Sequence, residues 1–228
     1  MKHGKKYREA VKKVDPAKQY QLDEACKLIK ELKVAKFDET VEAHVRLNLK
    51  KSQTVRDTLT LPHQFRPEKR VVVFCKGDKE KEAQEAGAVA CGADELIEKV
   101  KGGWLDFDVA IATPDMMKDV GKLGMVLGRK GLMPNPKTGT VTFDIKNAIN
   151  ELKKGRTEFR SDKTNIVHLP VAKMSMTADQ IAENVRTLLH EIERKRPSDV
   201  KGEFVLSVYI AGTMTPSIHV AAENAGGK

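Results

Sequence analysis

The chain predicts an α/β protein of two domains, one assembled from both termini and the other inserted between them. Three observations carry this. Segments near both ends alternate apolar and polar residues, the pattern of strands with one buried and one open face. The middle opens on "RVVVFCKG", a near-continuous apolar run, and then alternates strand-like with helix-like stretches, as in a parallel sheet covered by helices. Charge follows the same division: residues 1–66 and 159–228 carry a net +8 between them, residues 67–158 only +1. With 228 residues, two domains of ordinary size are expected.

In the first terminal segment, a basic helical stretch leads to "DEACKLIKELKVAKF". Ala25, Leu28, Ile29 and Leu32 share one face there, the spacing of an amphipathic helix. "TVEAHVRLNL" sets Val41, Ala43, Val45, Leu47 and Leu49 against Thr40, Glu42, His44, Arg46 and Asn48, a strand with one polar face. "DTLTLP" alternates as well, and "HQFRPEK" reads as a link.

In the insert, "RVVVFCKG", "AVAC" and "DVAIATPD" predict strands, and "DKEKEAQEAG" and "GADELIEKVKGG" predict helices. "MMKDVGKLGMVLG" is expected to form one more helix, "GTVTFD" a short strand and "IKNAINELKKG" a helix. Asp106 and Asp108 read as capping groups on a turn before a strand.

From Arg156 the alternating style returns in "RTEFR" and "NIVHLPVAKM". The clearest helix follows. Thr177 and Gln180 form a capping-box pattern, Ile181, Val185, Leu188, Leu189 and Ile192 make the stripe, and Pro197 lies just past the end. "EFVLSVYIAGTM" predicts a long strand and "SIHV" a short one after a break.

Several function classes find no support. The basic N-terminus lacks the apolar run of a secretory signal. Phe204 to Ala222 is uncharged for 19 residues, but Gly212, Thr213, Thr215, Pro216, Ser217 and His219 make a lipid-facing helix unsuitable. Three cysteines without close spacing fit reduced thiols in a cytosolic protein, so a cytoplasmic location is expected. The six histidines are scattered, no G-x-S-x-G elbow presents a serine, and neither a metal nor another cofactor is expected. With a net charge of +9 and a pI near 9.3, a polyanion is the expected partner, nucleic acid before an anionic membrane surface.

"GLMPNPKT", residues 131–138, misses a phosphate-binding loop by one residue, because Pro136 stands at the second glycine. Such a loop works by pointing successive backbone N–H groups at the anion, ahead of a helix. Pro134 and Pro136 have no N–H, and strand-like "GTVTF" follows. An enzyme using the insert as a nucleotide domain is the alternative class, but only Gly77 follows the first apolar strand. Arg129, Lys130 and Lys137 instead make the loop a stiff, basic element, either a solvated surface or a secondary RNA contact.

"KLGMVLGRKGLMPNPKTGTV" resembles a signature of the bacterial large-subunit ribosomal protein one family. "AKFDETVEAHVRL", "GWLDFDVAIATPDMM", "FRSDKTNIVH" and "VYIAGTMTPS" fall in that family's order and spacing. The resemblance spans nearly the whole chain. It implies a split α-β sandwich from both termini, carrying the main RNA contact, with a Rossmann-like insert. It implies a non-enzymatic protein, monomeric within the ribosome, that binds large-subunit ribosomal RNA to form the mobile stalk. It also implies help in moving or releasing deacylated tRNA at the exit site, and repression of its own operon through the mRNA.

Carried onto matching positions, the resemblance implies an RNA site at Lys36, Phe37, Thr40, Glu42, Arg160, Lys163, Thr164, His168, Thr213, Met214 and Ser217, on segments that meet at one surface. Lys36, Arg160 and Lys163 suit phosphates, threonine hydroxyls suit the 2′-OH, and Phe37 and Met214 suit riboses or bases. Glu42 suits a 2′-OH or a base amine rather than phosphate. The chain departs from the family at Ala211, Gly212 and Thr215 around the Thr-Met pair, at Asn165, and at Gly128–Gly131, where Arg129 and Lys130 replace Pro and Arg. Thr215 in place of glycine puts a close RNA approach in question.

Overall fold

The computed structural model describes residues 4–50, 53–153 and 155–221, apart from the side chains of Asp78 and Lys137. The protein is α/β and divides into two compact units, Met1–Phe65 with Glu158–Lys228, and Arg66–Thr157. In chain order the elements are α1 (Lys5–Val11), α2 (Leu22–Glu31), β1 (Thr40–Leu47), β2 (Arg56–Thr60), β3 (Val71–Phe74), α3 (Asp78–Glu85), β4 (Ala90–Gly92), α4 (Asp94–Lys101) and β5 (Val109–Ala112). They continue with α5 (Met117–Gly121), α6 (Gly124–Arg129), α7 (Ile145–Lys153), β6 (Arg156–Arg160), β7 (Ile166–Lys173), α8 (Ala178–Arg194), β8 (Val205–Gly212) and β9 (Ile218–Val220).

In the unit built from both termini, a four-stranded sheet has the order β7-β1-β8-β9, with every pairing antiparallel. The alternation read in β1 becomes burial: Val41, Ala43, Val45 and Leu47 are buried, and Thr40, Glu42, His44 and Arg46 are not. The buried face packs with α2 and α8 in one core that includes Ile29, Leu32, Val185, Leu188, Val208 and Ile210. Among the described residues, helices therefore cover one face only. Pro170 lies in β7, an edge strand, and the register slips beside it, where a missing N–H is tolerated. β2 and β6 form a separate two-stranded sheet.

α8 carries the expected capping box: Thr177 accepts from the Gln180 N–H, and the Gln180 side chain accepts from the Thr177 N–H. Its buried face also holds Asn184, which sequence periodicity does not foresee. The amide donates to the carbonyls of Val171 (2.7 Å) and His63 (2.9 Å) and accepts from the His63 N–H (3.0 Å). These bonds fasten the link after β2 to the helix and sheet.

In the other unit the parallel sheet has the order β4-β3-β5. All four residues of β3 are buried, because both faces are covered. Val72 and Phe74 pack with Leu96, Ile97, Val120 and Leu127, and Val71 and Val73 with Ala83, Ile145 and Ile149. Two expectations are corrected. "MMKDVGKLGMVLG" forms not one helix but α5 and α6, separated at Lys122 and Leu123; Gly121 and Gly124 flank the break and weaken a continuous helix. "GTVTFD" contributes only an isolated parallel bridge, Val141 to Ala112. Asp106 and Asp108, expected as capping groups, instead reach across to Arg70. Both pair with the Arg70 guanidinium, and Asp108 accepts the Arg70 main-chain N–H at 2.9 Å. That N–H first, then the guanidinium, holds the Asp108 carboxyl below its ordinary pKa.

Two tests follow. Asn184→Ala takes the side-chain partner from one buried backbone group, the Val171 carbonyl, and from two half-buried ones at His63, and is expected to cost about 1–2 kcal/mol, measured by urea unfolding. Burial pushes the Cys26 thiol up to about 12 and the Cys75 thiol up to about 11. Native-state alkylation at pH 8, read by mass spectrometry, should therefore spare both until the protein unfolds.

Candidate nucleic-acid interface

Strand register decides which predicted residues are neighbours. Thr40 pairs with Lys173 and Val41 with Gly212, so the start of β1 and the ends of β7 and β8 share one end of the sheet. The segment before β1 brings Lys36 and Phe37 to that end, and the one after β8 brings Thr213 and Met214. Lys36 and Thr213 are exposed. Phe37 and Met214 are 53% and 54% exposed, so neither belongs to the core. The Thr213 hydroxyl accepts from the Thr40 N–H at 3.1 Å, and Lys173 Nζ donates to the Thr40 hydroxyl at 2.8 Å. Ser217, exposed, immediately precedes β9, where Ile218 pairs with Ile210.

Glu39 holds these loops together. Its side chain is fully buried just ahead of β1. One carboxylate oxygen accepts from the N–H groups of Ala35 (2.9 Å) and Val34 (3.2 Å), and the other from the N–H of Met214 (2.9 Å). A buried carboxylate requires such donors. Gly212 makes room for it: a Cβ there would stand 2.5 Å from Met174 Cε, 2.9 Å from Thr215 Oγ1 and 3.2 Å from Glu39 Oε2. Thr215 is turned inward, its hydroxyl accepting from the Gly212 N–H at 2.7 Å, so its side chain does not stand on the surface. Asp38 adds a brace by accepting from the N–H (3.0 Å) and hydroxyl (2.9 Å) of Ser175. Sequence reasoning missed Glu39, since an acid between a loop and a strand has no periodic cue.

Arg160, Lys163 and Thr164 occupy the other end. They precede β7, whose first residue, Ile166, pairs with Arg46. Six residues of β1 separate Thr40 from Arg46, roughly 20 Å at about 3.4 Å per residue, so these side chains do not share a cluster with Thr213 and Met214. Arg160 and Lys163 are exposed. The Thr164 hydroxyl donates to Asp162, 2.6 Å and 2.8 Å from its two oxygens. That contact first, then main-chain N–H groups of Ile166 and Thr164, holds the Asp162 carboxyl below its ordinary pKa. Asn165 adopts a left-handed φ of 63°, which asparagine tolerates.

Between the two ends lie Glu42, half-buried, and His168, exposed. His168 pairs with His44 across the strands, their Nδ1 atoms 2.8 Å apart, so one ring donates and the other accepts. Burial, then the neighbouring His168, pulls the His44 pKa below its ordinary value.

In the other unit, Arg129 and Lys130 are exposed at the end of α6, and the side chain of Lys137 lies outside the described residues. The near-miss loop folds around Asn135, whose N–H donates to the Thr140 hydroxyl (2.8 Å) and whose carbonyl accepts from the Thr138 hydroxyl (3.0 Å). Thr138 is thus buried in an internal contact, and a bridge at Val141, not a helix, follows it. Among the described residues, no group of three or more His, Cys, Asp or Glu is placed to hold a metal ion, and no helix is long and apolar enough to cross a membrane.

Glu39→Ala should release the main-chain donors of residues 34, 35 and 214 together. Native-state hydrogen exchange at these three amides is expected to accelerate by at least tenfold, the equivalent of about 1.4 kcal/mol, while the amides of α8 keep their protection.

Comparison with known proteins places the chain in a lineage. The model of the ribosomal protein L1p/L10e family matches residues 29–216. The large ribosomal subunit protein uL1 of Treponema denticola is 64% identical over 220 residues, 96% of this chain and 97% of the relative. Its counterpart in Treponema pallidum is 60% identical over 220 residues, again 96% and 97% of the two chains. That of Borrelia hermsii is 56% identical over 219 residues, 96% of this chain and 98% of the relative. With more than half of its length inside the family model and such relatives along nearly all of it, the chain belongs to the ribosomal protein L1p/L10e family.

Proposed function

We propose that this chain, a cytoplasmic structural protein of the large ribosomal subunit and not an enzyme, binds the stalk region of large-subunit ribosomal RNA through the Glu39-braced loops. The observation that carries the reading is that two exposed apolar side chains, Phe37 and Met214, stand on loops fixed by one buried carboxylate. Preordered apolar tips suit riboses and unstacked bases, and the hydroxyls of Thr40, Thr213 and Ser217 suit the 2′-OH. Lys36 at one end of the sheet, and Arg160 and Lys163 at the other, supply phosphate contacts. Residues 1–66 with 159–228 form the RNA-binding domain, and residues 67–158 the Rossmann-like insert, where Arg129, Lys130 and Lys137 offer a second contact.

The same reading gives the protein a part in moving deacylated tRNA out of the exit site, as a monomer on the mobile stalk. It also makes the protein a repressor of its own operon, through an mRNA structure that mimics the ribosomal site. A single RNA surface serves both ribosomal RNA and mRNA, so the two compete.

Filter binding to stalk ribosomal RNA across a salt series tests the reading. Log K should fall with log salt by about 0.7–0.9 per neutralised phosphate. Met214→Asp should weaken binding at least tenfold, about 1.4 kcal/mol, within the range for losing a base contact, and Thr213→Ala should weaken it less, both with unchanged circular dichroism. Unaltered affinity in both variants would place the site elsewhere.

A further inference from the structure

We propose that the open face of the four-stranded sheet is a stacking platform for unpaired RNA bases, formed by a row of rings across its width: His168, His44, Tyr209 and His219. This extends the RNA-binding reading from the loops to the sheet and rests on it.

Register makes the row. His168 on β7 pairs with His44 on β1, His44 with Tyr209 on β8, and Tyr209 with His219 on β9. Each strand thus contributes one ring at the same level. The flanking residues Ala43, Val45, Val167, Val208 and Ile210 are buried in the helix-covered core, so the rings stand on the other face. Tyr209 and His219 stack, with centroids 4.5 Å apart and planes 13° from parallel. His44 and His168 meet edge to face, with centroids 5.0 Å apart at 63°. Tyr209 remains 36% exposed and the His168 side chain 51%, so mutual contact leaves ring surface free.

Chemistry and position select the occupant. Flat rings accept any base through its π-face. The row lies between the Phe37–Met214 loops at one end of β1 and Arg160 and Lys163 at the other, so a strand of RNA touching both ends crosses it. Arg46, two residues beyond His44 on the same face and exposed, supplies a phosphate partner beside the rings. Glu42, two residues before it, opposes a phosphate but can accept from a base amine. Around the rings this face carries Glu42 and Arg46 and, half-buried between them, Ile166, Pro170 and Ala211, so charged groups interrupt its apolar surface, which suits a nucleic acid better than a membrane.

The test uses the full chain and two probes, single-stranded hexauridylate and hexaadenylate, followed by NMR of the histidine Hε1 and tyrosine ring protons. Saturable shifts are expected at all four rings, larger with adenosine because its base stacks more strongly. The double variant Tyr209→Ser, His219→Ala should weaken hexamer binding roughly tenfold or more, and Tyr209→Phe, which keeps the ring, should restore most of it. Thermal unfolding and circular dichroism establish that each variant folds. Hexamers that leave the four rings unshifted, or bind the double variant as tightly as the wild type, overturn the platform. Because the hexamers lack the stalk structure, failure of the wild type to bind stalk RNA overturns the loop reading separately, while the hexamer titration still decides the platform.

Discussion

One buried carboxylate determines where the loops at the end of the sheet can go. Glu39 is sealed from solvent, so its charge is tolerable only with donors, and it finds them both close by in the chain and on Met214, 175 residues away. Residues 34 and 35 and residue 214 are thereby held to one point. Neither loop is ordered by apolar packing at its tip, since Phe37 and Met214 project outward. The polar anchor does what a hydrophobic core does elsewhere, and leaves the apolar groups free. It also relates two local residues: a Cβ at residue 212 would crowd Met174 Cε and the Thr215 hydroxyl, so Gly212 leaves the room that the inward-turned Thr215 side chain occupies.

The same economy runs through the sheet. Covering one face with α2 and α8 supplies the stability of the terminal unit, and the opposite face remains open for contacts. Polar residues on an antiparallel strand are ordinary where that face meets water. Here the face also carries cross-strand ring pairs, whose partners are chosen by register rather than by neighbours in sequence.

Much of the framework was legible because it is periodic. Alternation in β1, the four-residue apolar run of β3 and the Thr177–Gln180 box each state a local geometry in consecutive residues. The failures have physical causes. Two glycines at the α5–α6 junction lower helix stability enough for tertiary context to split a pattern that reads as one helix. Asn184 and Glu39 are polar residues in fully buried positions, which only their hydrogen-bond partners explain. The candidate RNA residues came from family motifs rather than from spacing. Sequence order alone could not tell that Arg160 and Lys163 lie a strand's length from Thr213, because that follows from the β7–β1–β8 register.

Pro170 has a consequence for the protein before it meets any RNA. β7 is an edge strand, and an edge with regular N–H and C=O groups invites another chain to add a strand. Proline removes one donor from that row, and the register slip beside it breaks the row's spacing. A newly made molecule, whose β7 edge is covered near its start by the Ser161–Val167 bridge and interrupted further on by Pro170, thus carries a built-in defence against zipping onto its own copies.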